Sequence, residues 1–355
     1  MPETVIPIAP AAPNSDERRT EVLSLPVPVA GAIREEGGRI LDTRGRPLRD
    51  LRISVTDQCN FRCRYCMPKE KFGSRHKFLA HTELLTFEEI LKVAKAFSAL
   101  GVEKIRLTGG EPLLRRHIEE LVAKLKAIET PTGNPLEVAM TTNAAILARK
   151  AQALKAAGLD RVTVSLDALT EDLFQAINDV GFPAYEVLKG IHAAREAGLP
   201  VKVNTVVKRG MNEEEILPLA KTFRGTGITL RFIEYMDAGT ANGWRMDDVV
   251  PSSEIVRRIN EVWPIAPSEA LYRGEVAERW HYLDGAGEVG FISSVTQAFC
   301  RDCTRARLSV EGGLFLCLFA DRGYDIRTMF RGGATTEEIR DAVARIWTNR
   351  DNHYS

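Results

Sequence analysis

Three cysteines with an unequal spacing are the residues of this chain best suited to hold a metal centre. Cys59, Cys63 and Cys66 are separated by three residues and then by two. Thiolates favour soft metals and iron–sulfur clusters, and a four-iron cluster normally takes four cysteines. Three cysteines would leave one iron free to bind a small molecule and pass it an electron. The alternative is a zinc site with His76 or His81 as fourth ligand, but structural zinc sites usually use symmetric pairs.

A second group of cysteines lies near the end of the chain. Cys300, Cys303 and Cys317 have spacings of two and thirteen residues, and a predicted hairpin that follows Arg307 returns Cys317 to the first pair. This group also lacks a fourth cysteine. It predicts either a second cluster with an open iron or a zinc ribbon that is short of one ligand. Arg305 and Arg307 alternate beside it, which predicts that they share one face of a strand.

The composition indicates a reducing compartment and only local concentrations of charge. Lys and Arg number 48, as do Asp and Glu, so the net charge is zero, which argues against nucleic acid or an anionic membrane as partner. No stretch of the sequence approaches the ~18 apolar residues of a membrane span, and the N-terminus is unlike a secretion signal. Six cysteines in two tight groups therefore favour metal binding in the cytoplasm over disulfides.

Short apolar runs alternate with helical patterns from Leu51 onward, which predicts an α/β fold with a parallel sheet. Six strand–helix units fall short of the eight that close a full barrel, so a partial barrel and a doubly wound sheet both fit. The predicted strands are Arg52–Thr56, Lys104–Thr108, Glu137–Thr141, Arg161–Ser165, Val201–Val206 and Thr229–Ile233.

Changes of composition divide the chain into three expected parts. Residues 1–38 are rich in Pro and Ala and then charged, and we expect a disordered N-terminal extension there. Residues 45–263 are expected to form the α/β core. A smaller C-terminal region is expected over residues 264–355, beginning near Pro264 with a hairpin around Gly285 and Gly287.

Polar residues gather where the predicted strands end, and the carboxyl ends of strands are where such sheets bind ligands. Gly109 and Gly110 follow the second strand and permit close backbone approach to a ligand. Four cations lie within the apolar strands themselves: Arg52, Arg106, Lys202 and Arg231. One interpretation is a set of structural ion pairs to Asp57, Glu111 or Glu234. The other is a cavity lined with positive charge for an anionic substrate, best a phosphate ester.

The first cysteine loop, with the aromatic Tyr65 just before its last cysteine, resembles the signature of the radical S-adenosylmethionine (SAM) superfamily. From about Asp50 to Trp347 the chain also resembles the GTP 3′,8-cyclases of molybdenum-cofactor biosynthesis. The pairing of Cys-x3-Cys-x2-Cys with a later Cys-x2-Cys-x13-Cys is the most specific part of this resemblance. The Thr-Gly-Gly-Glu-Pro and Arg-Phe-Ile-Glu-Tyr-Met segments add to it.

The resemblance implies a partial, TIM-like (βα)6 barrel whose open side is covered by a C-terminal region with a second iron–sulfur cluster. It implies two 4Fe–4S clusters, the first binding SAM at Cys59, Cys63 and Cys66, the second binding substrate at Cys300, Cys303 and Cys317. The implied contacts to SAM are Tyr65, Gly110, Ser165 and Met236. The implied contacts to GTP are Arg52, Arg106, Thr141, Lys202, Arg305, Ala306 and Arg307.

In such enzymes the reduced first cluster cleaves SAM to methionine and a 5′-deoxyadenosyl radical, which removes hydrogen from ribose C3′ of GTP. The carbon radical attacks guanine C8 and gives (8S)-3′,8-cyclo-7,8-dihydroguanosine 5′-triphosphate, the first step towards molybdopterin. The resemblance further implies a flavodoxin or ferredoxin as electron donor, a downstream cyclic pyranopterin monophosphate synthase and a homodimer. It implies a cytoplasmic enzyme with no nucleic-acid or membrane partner.

Two departures from the family pattern bear on these expectations. Family members typically end in a Gly-Gly tail that reaches the active site, whereas this sequence ends at Ser355. Either this sequence is truncated before that tail or the tail is lost, and if it is lost we expect binding to survive and turnover to fall. The loop Thr130–Pro135 is expected to be a surface insertion.

Two other functions compete with the cyclase. A radical enzyme that modifies a peptide would keep the first cysteine loop and an auxiliary cluster, but it would not need the strand cations. A zinc-stabilised binding module would contain zinc without iron or inorganic sulfide.

Overall fold

A computed structural model describes residues 22–29, 32–131, 133–237, 243–297 and 299–351. Its strands are β1 (Arg34–Glu36), β2 (Arg39–Leu41), β3 (Asp50–Ser54), β4 (Lys104–Thr108), β5 (Glu137–Thr142), β6 (Arg161–Ser165), β7 (Val201–Val207), β8 (Thr229–Glu234), β9 (Ile265–Ser268), β10 (Glu278–Tyr282), β11 (Glu288–Ile292), β12 (Arg305–Leu308), β13 (Gly313–Phe315) and β14 (Tyr324–Asp325). Its α-helices are α1 (Lys69–Phe72), α2 (Phe87–Ser98), α3 (Ile118–Lys126), α4 (Leu147–Ala156), α5 (Glu171–Asn178), α6 (Ala184–Glu196), α7 (Ile216–Phe223), α8 (Ser252–Val262), α9 (Arg327–Arg331) and α10 (Thr336–Thr348).

The six predicted strands form the parallel centre of one twelve-stranded sheet, so the prediction of an α/β fold is confirmed. The sheet order is β14-β13-β12-β3-β4-β5-β6-β7-β8-β11-β10-β9. Helices connect successive parallel strands, as right-handed crossovers require. Helix α2 shows how local sequence specifies a helix. Thr86 and Glu89 form a capping box at its start. Its buried face includes Ile90, Val93 and Phe97.

The alternation of side chains along the central strands separates an apolar face from a polar one. In β3, Leu51 and Ile53 are fully buried in the core that the helices cover, while Arg52 lies on the other face. In β4, Ile105 and Leu107 repeat this pattern on either side of Arg106. Parallel strands are usually apolar on both faces, so the polar face of this sheet is the exception that identifies a site.

The C-terminal region extends the central sheet at both of its edges. Strand β11 pairs in parallel with β8, and β12 pairs in parallel with β3. The predicted hairpin is formed by β10 and β11, with Gly285 and Gly287 at positive φ in its turn. The hairpin that follows Arg307 is formed by β12 and β13. The chain after Pro264 therefore shares one sheet with the core.

The segment predicted to be a disordered extension makes ordered contacts where the structure describes it. Gly37 and Gly38, at φ 58° and 76°, connect β1 to β2 in a two-residue hairpin turn. Leu23 is buried, and the amide of Leu25 donates to the carbonyl of Gly323 at 3.2 Å. Residues 1–21 lie outside the described residues, and their disorder stays a prediction. Among the helices that the structure describes, none is long and apolar enough to cross a membrane.

Candidate active site

The first cysteine group lies on the loop that follows β3, at the carboxyl edge of the sheet. The amides of Cys66 and Met67 both donate to the carbonyl of Cys63 at 2.9 Å, which turns the loop back on itself. Phe61 anchors the loop by packing against aromatic rings of the α5 region. Cys59 and Cys63 are half-buried, and Cys66 is exposed.

The loop after β4 packs directly on this cysteine loop, which explains its paired glycines. The amide of Gly110 donates to the carbonyl of Thr56 at 2.8 Å. A Cβ at Gly110 would lie 2.2 Å from the carbonyl oxygen of Gln58, and one at Gly109 would lie 2.4 Å from that of Thr56. The predicted close approach is therefore made to the cysteine loop. Contact of Gly110 with SAM stays a prediction.

Two buried carboxylates, Glu111 and Asp167, connect the strand ends at the carboxyl edge of the sheet through hydrogen bonds. Local sequence did not indicate these hydrogen-bond partners. Glu111 accepts hydrogen bonds from the Thr142 hydroxyl and the Asn143 amide, both at 2.7 Å, and burial raises its pKa to about 7. The Asn143 side chain in turn lies 3.8 Å from the sulfur of Cys59. Glu111 thus couples the ends of β4 and β5 to the cysteine loop, and does not pair with a strand cation.

The second carboxylate, Asp167, holds a residue that the resemblance assigns to SAM. The hydroxyl of Tyr65 donates to Asp167 at 2.5 Å, and the amide of Val206 donates to its other oxygen at 2.8 Å. Burial raises the pKa of Asp167 to about 6. Ser165 ends β6 two residues before it, and Met236 follows β8. These positions ring the carboxyl edge of the sheet.

A cavity of about 560 Å³ opens on the polar face of the sheet. Nine cationic and four acidic side chains line it, which leaves an excess of positive charge. The predicted site residues on its wall are Arg52, Arg106, Thr141, Lys202, Met236, Arg305 and Arg307. Ala306 is not among them, because alternation along β12 buries its side chain on the opposite face from Arg305 and Arg307.

Three guanidinium groups form a row across adjacent strands. Arg307 of β12 is in register with Arg52 of β3, which is in register with Arg106 of β4. Burial, followed by the like charges of Arg307, Arg305 and Arg106, lowers the pKa of Arg52 well below its usual value. Burial and then Arg305 lower the pKa of Arg307 to about 10. Arg106 donates only to the hydroxyls of Thr141 and Thr163, at 3.0 and 3.2 Å.

Two further cations on the wall come from β7 and β8. Burial and then Arg231 lower the pKa of Lys202 to about 8. Arg231 donates to the Asn204 side chain at 2.9 Å, and burial followed by Arg106 lowers its pKa to about 10. The predicted alternative for the strand cations was ion pairing to Asp57, Glu111 or Glu234. That alternative is wrong for the residues that the structure describes, where these carboxylates accept from hydroxyls and backbone amides.

The sequence analysis missed two cavity cations at the amino ends of their strands. Lys104 lies 3.9 Å from Asp50 and 3.7 Å from Glu137, and Arg161 lies 2.6 Å from Glu137. Lys and Arg are common at strand ends on protein surfaces, so residue type alone did not indicate that Lys104 and Arg161 line a cavity. Their strands converge on the cavity, which only the folded sheet reveals.

The loop predicted to lie on the surface is mostly exposed, and it also borders this cavity. Thr130, Asn134 and Pro135 line it, and Thr130 is buried. An isolated bridge between Glu129 and Pro135 closes the loop over the edge of β5.

The second cysteine group lies beside the same cavity. Cys300, Cys303 and Cys317 line one small adjoining cavity together with Arg305 and Arg307. Arg305 lies 3.6 Å from the sulfur of Cys303. Burial by itself would raise the pKa of Cys303. The positive charges of Arg305 and Arg350 have the larger combined effect, and the pKa is lowered to about 6. The folded chain thus brings Cys317 to the first pair, as the hairpin predicted.

A buried charge network that the sequence analysis missed supports these cysteines. Asp42 accepts from Arg46 at 2.6 Å and from Arg350 at 3.4 Å, and all three side chains are buried. Arg46 donates to the carbonyl of Cys300, and Arg350 to that of Cys303, both at 2.8 Å. Arg46 and Cys300 are 254 positions apart and Asp42 and Arg350 are 308 apart, so no local pattern predicts that these segments meet.

The donor sets fit iron–sulfur clusters better than single zinc ions. Each group supplies three cysteine thiols, the ligands of iron–sulfur clusters, whereas a structural zinc ion takes four protein ligands. His76, one of the two alternative zinc ligands, packs against a tilted Phe72 ring and edge-on to Phe78, with ring centroids 4.7 and 4.6 Å away. His81 is exposed.

Comparison with known proteins agrees with this arrangement. The profile of the Radical SAM superfamily matches residues 53–223, and that of Molybdenum Cofactor Synthesis C matches residues 228–355. A GTP 3′,8-cyclase of Acidothermus cellulolyticus is 53% identical over 89% of this chain and 88% of its own length. A GTP 3′,8-cyclase of Staphylococcus aureus (strain MRSA252) is 46% identical over 89% of this chain and 92% of its own length.

The solved structure of Streptococcus suis SuiB bound to S-adenosylmethionine shares the fold. It superposes with a TM-score of 0.58 over 87% of this chain and 68% of SuiB, at 14% identity. At that identity the likeness concerns the fold alone, and it confirms the partial-barrel architecture. From the sequence matches, the chain belongs to the radical SAM superfamily, whose members use a 4Fe–4S cluster and SAM, and within it to the GTP 3′,8-cyclase family.

Proposed function

We propose that this protein is a GTP 3′,8-cyclase that uses SAM to convert GTP to 3′,8-cyclo-7,8-dihydroguanosine 5′-triphosphate. The observation that carries the proposal is a set of six buried or half-buried cations on one cavity wall: Arg52, Arg106, Lys202, Arg231, Arg305 and Arg307. Within the part of the chain that the structure describes, none of the six forms an ion pair with a carboxylate. Buried cations without partners are costly, so the cavity is matched to a polyanion such as a triphosphate.

The protein's own groups would bind and orient the substrate. The guanidinium row of Arg307, Arg52 and Arg106 offers forked donors to phosphate oxygens. Thr141 accepts from Arg106 and so fixes the direction of that side chain. Lys202 of β7 adds a further charge to the same cavity. Ala306 would contribute only through its backbone, because its side chain faces the core.

The first cysteine group would hold the 4Fe–4S cluster that binds SAM. When bound there, the cluster and SAM supply a 5′-deoxyadenosyl radical. Gly110, Tyr65, Ser165 and Met236 are proposed to contact SAM. Their positions at the carboxyl ends of β4, β6 and β8 and on the cysteine loop support this assignment. Tyr65 is held by Asp167, so its ring would contact SAM while its hydroxyl stays engaged.

A second 4Fe–4S cluster is proposed at Cys300, Cys303 and Cys317. Its site adjoins the cavity through Arg305 and Arg307, which line both spaces. An open iron there would face the base of GTP while the guanidinium row holds the phosphates. Following the family, we also propose a flavodoxin or ferredoxin as electron donor. We further propose that a cyclic pyranopterin monophosphate synthase acts on the product. We also propose that the protein is a homodimer and is located in the cytoplasm.

The deciding assay uses anaerobically reconstituted protein with SAM, dithionite and GTP. We expect 5′-deoxyadenosine and the 3′,8-cyclised nucleotide to form together. If GTP raised neither product above the level without substrate, the cyclase assignment would fail and a peptide substrate would become the better candidate. Zinc without iron or sulfide in the purified protein would overturn the radical chemistry as a whole.

The Cys59→Ala variant separates radical generation from substrate binding. Loss of one of three ligands should prevent assembly of the first cluster, and therefore abolish SAM cleavage. GTP binding, measured by calorimetry, should remain because the cavity cations are untouched. Cleavage that persisted at the wild-type rate would contradict the role of this loop.

A further inference from the structure

The segment that contains the first cysteine group and the twelve residues after it carries a local excess of positive charge. Residues 59–78 contain six Lys or Arg and one acidic residue, Glu70, in a chain whose total charge is zero. We define the basic patch as the five of these cations that are exposed: Arg64, Lys69, Lys71, Arg75 and Lys77. The proposed binding of GTP does not use them, because none lines the cavity.

The chain folds this segment back against the cysteine loop. Arg62 is the link, because its guanidinium donates to the carbonyls of Cys59 and Phe72, both at 2.7 Å. The Leu79 amide donates to Asp57 at 2.7 Å, which returns the segment to the end of β3. The basic patch is therefore held beside the cysteines by half-buried hydrogen bonds.

Two cations of the basic patch lie within three residues of the cysteines in the chain. Arg64 lies between Cys63 and Cys66, and Lys69 follows Cys66 by three residues. Lys69 pairs with Asp179 at 3.1 Å. Within the described residues, Arg75 and Lys77 form no ion pair. Exposed cations beside the cysteine loop suit an anionic partner protein that carries electrons.

We propose that the basic patch is the docking surface for a small acidic electron-transfer flavoprotein. This inference rests on the proposed function, because it concerns delivery of the electron that SAM cleavage consumes. At this surface the reduced flavoprotein loses one electron and the iron centre at Cys59, Cys63 and Cys66 gains it. No atom is transferred, and no bond forms or breaks between the two proteins.

The first test measures binding directly. Oxidised flavodoxin, as the probe, is titrated against the reconstituted enzyme at ionic strengths of about 50 and 500 mM. Screening should weaken a charge-driven complex strongly over this range. The Lys71→Glu/Arg75→Glu/Lys77→Glu variant should bind at least about tenfold more weakly at low salt. Binding that is independent of both salt and these substitutions would overturn the proposal.

A matched control changes the same amount of charge elsewhere. Lys95, Lys155 and Lys221 are exposed and lie in the last turns of α2, α4 and α7. These helix ends return to the amino edge of the sheet, opposite the cysteine loop. Replacing all three by Glu should change flavodoxin binding by less than about threefold. An equal loss in both variants would mean that net charge, and not the basic patch, governs the association.

The second test follows reduction of the iron centre by electron paramagnetic resonance. Reduced flavodoxin should reduce the patch variant at least about tenfold more slowly than the control variant. Dithionite should reduce both at the same rate. If the patch variant lost iron, Arg75→Gln/Lys77→Gln would replace it, and unchanged reduction by flavodoxin there would overturn the proposal. Failure of the GTP assay with dithionite would instead count against the proposed function.

Discussion

The cavity cations decide at the residue scale what this protein can bind. Arg52, Arg106 and Arg307 share one row of the sheet, and burial followed by the like charges of Arg307 and Arg106 lowers the pKa of Arg52. This repulsion is costly in the free protein, and a bound polyanion would offset it. Part of the binding free energy of a polyanion would therefore come from offsetting the repulsion among the arginines.

Arg307 is the most direct test of this charge. The Arg307→Ala variant should lose a charged hydrogen bond worth about 1.5–3 kcal/mol, which raises the Kd for GTP roughly 10- to 150-fold. Cleavage of SAM should persist, because Arg307 lies apart from the first cysteine group. Calorimetry with GTP and a 5′-deoxyadenosine assay measure the two effects. Equal loss of cleavage in Arg307→Ala and Cys59→Ala would contradict this division of roles.

Lys202 predicts how substrate binding depends on pH. Its pKa of about 8 means that the free protein loses this charge as the pH rises through about 8. A bound polyanion favours the protonated lysine, so binding above that pH must also take up a proton. Affinity for GTP should therefore fall above about pH 8, by up to about tenfold per pH unit for one group.

The Lys202→Arg variant supplies the control for this dependence. Arginine stays charged throughout the range, so its affinity for GTP should fall less steeply above about pH 8. Ionisation of the guanine base affects both proteins and cancels in the comparison. Parallel pH profiles, measured by calorimetry, would show that Lys202 is not the titrating group.

At the scale of elements, the site depends on how closely two loops approach each other. The loops after β3 and β4 meet backbone to backbone, and Gly110 lies where they touch. Glu111, the next residue, then extends this contact to the end of β5. A rigid scaffold of parallel strands thus holds the cysteine loop in one conformation before any cluster binds.

Gly110→Ala should displace the cysteine loop. The new Cβ would lie 2.2 Å from the Gln58 carbonyl, a contact with backbone that cannot be relieved by a side-chain movement. We expect the iron content to fall by roughly half, because only the first of two four-iron clusters is affected. Iron and sulfide analysis checks this. The control is Gly285→Asn, at φ 80° in an open turn, which should leave the iron content unchanged.

At the scale of the whole molecule, distant parts of the chain close around the second cysteine group. The segment after β2 contributes Asp42 and Arg46, and the residues after α10 contribute Arg350. Trp347 of α10 donates to the Arg46 carbonyl at 3.1 Å and joins the two segments. The beginning and end of the described fold therefore depend on each other for stability.

Arg350→Leu should weaken this closure. Breaking a buried ion pair costs about 3–5 kcal/mol of the free energy of unfolding. Because Arg46 still pairs with Asp42 in this variant, we expect a loss near about 3 kcal/mol. Urea unfolding of the cluster-free protein measures the free energy, and electron paramagnetic resonance measures retention of the second cluster. Arg340→Leu within α10 removes a partly exposed pair and should cost less than about 1 kcal/mol. Similar losses in both variants would contradict the role of the network.

Local sequence determined much of the fold. The period-two alternation in Asp50–Ser54 and Lys104–Thr108 set which side chains face the helices and which face the cavity. The cysteine spacings determined the donor groups, and Cys317 meets Cys300 and Cys303 as the hairpin predicted. These features depend on neighbours in the chain, so the sequence contains their physical causes directly.

Tertiary structure alone decided which charges meet. Arg307 lies beside Arg52 because β12 pairs with the edge of β3, and no local pattern encodes that pairing across more than two hundred residues. The same long-range packing left the strand cations without carboxylates and gave Glu111 its hydroxyl and amide partners. Residue type and spacing thus determined which groups are present. The register of distant strands decided that they line one cationic cavity beside two cysteine groups.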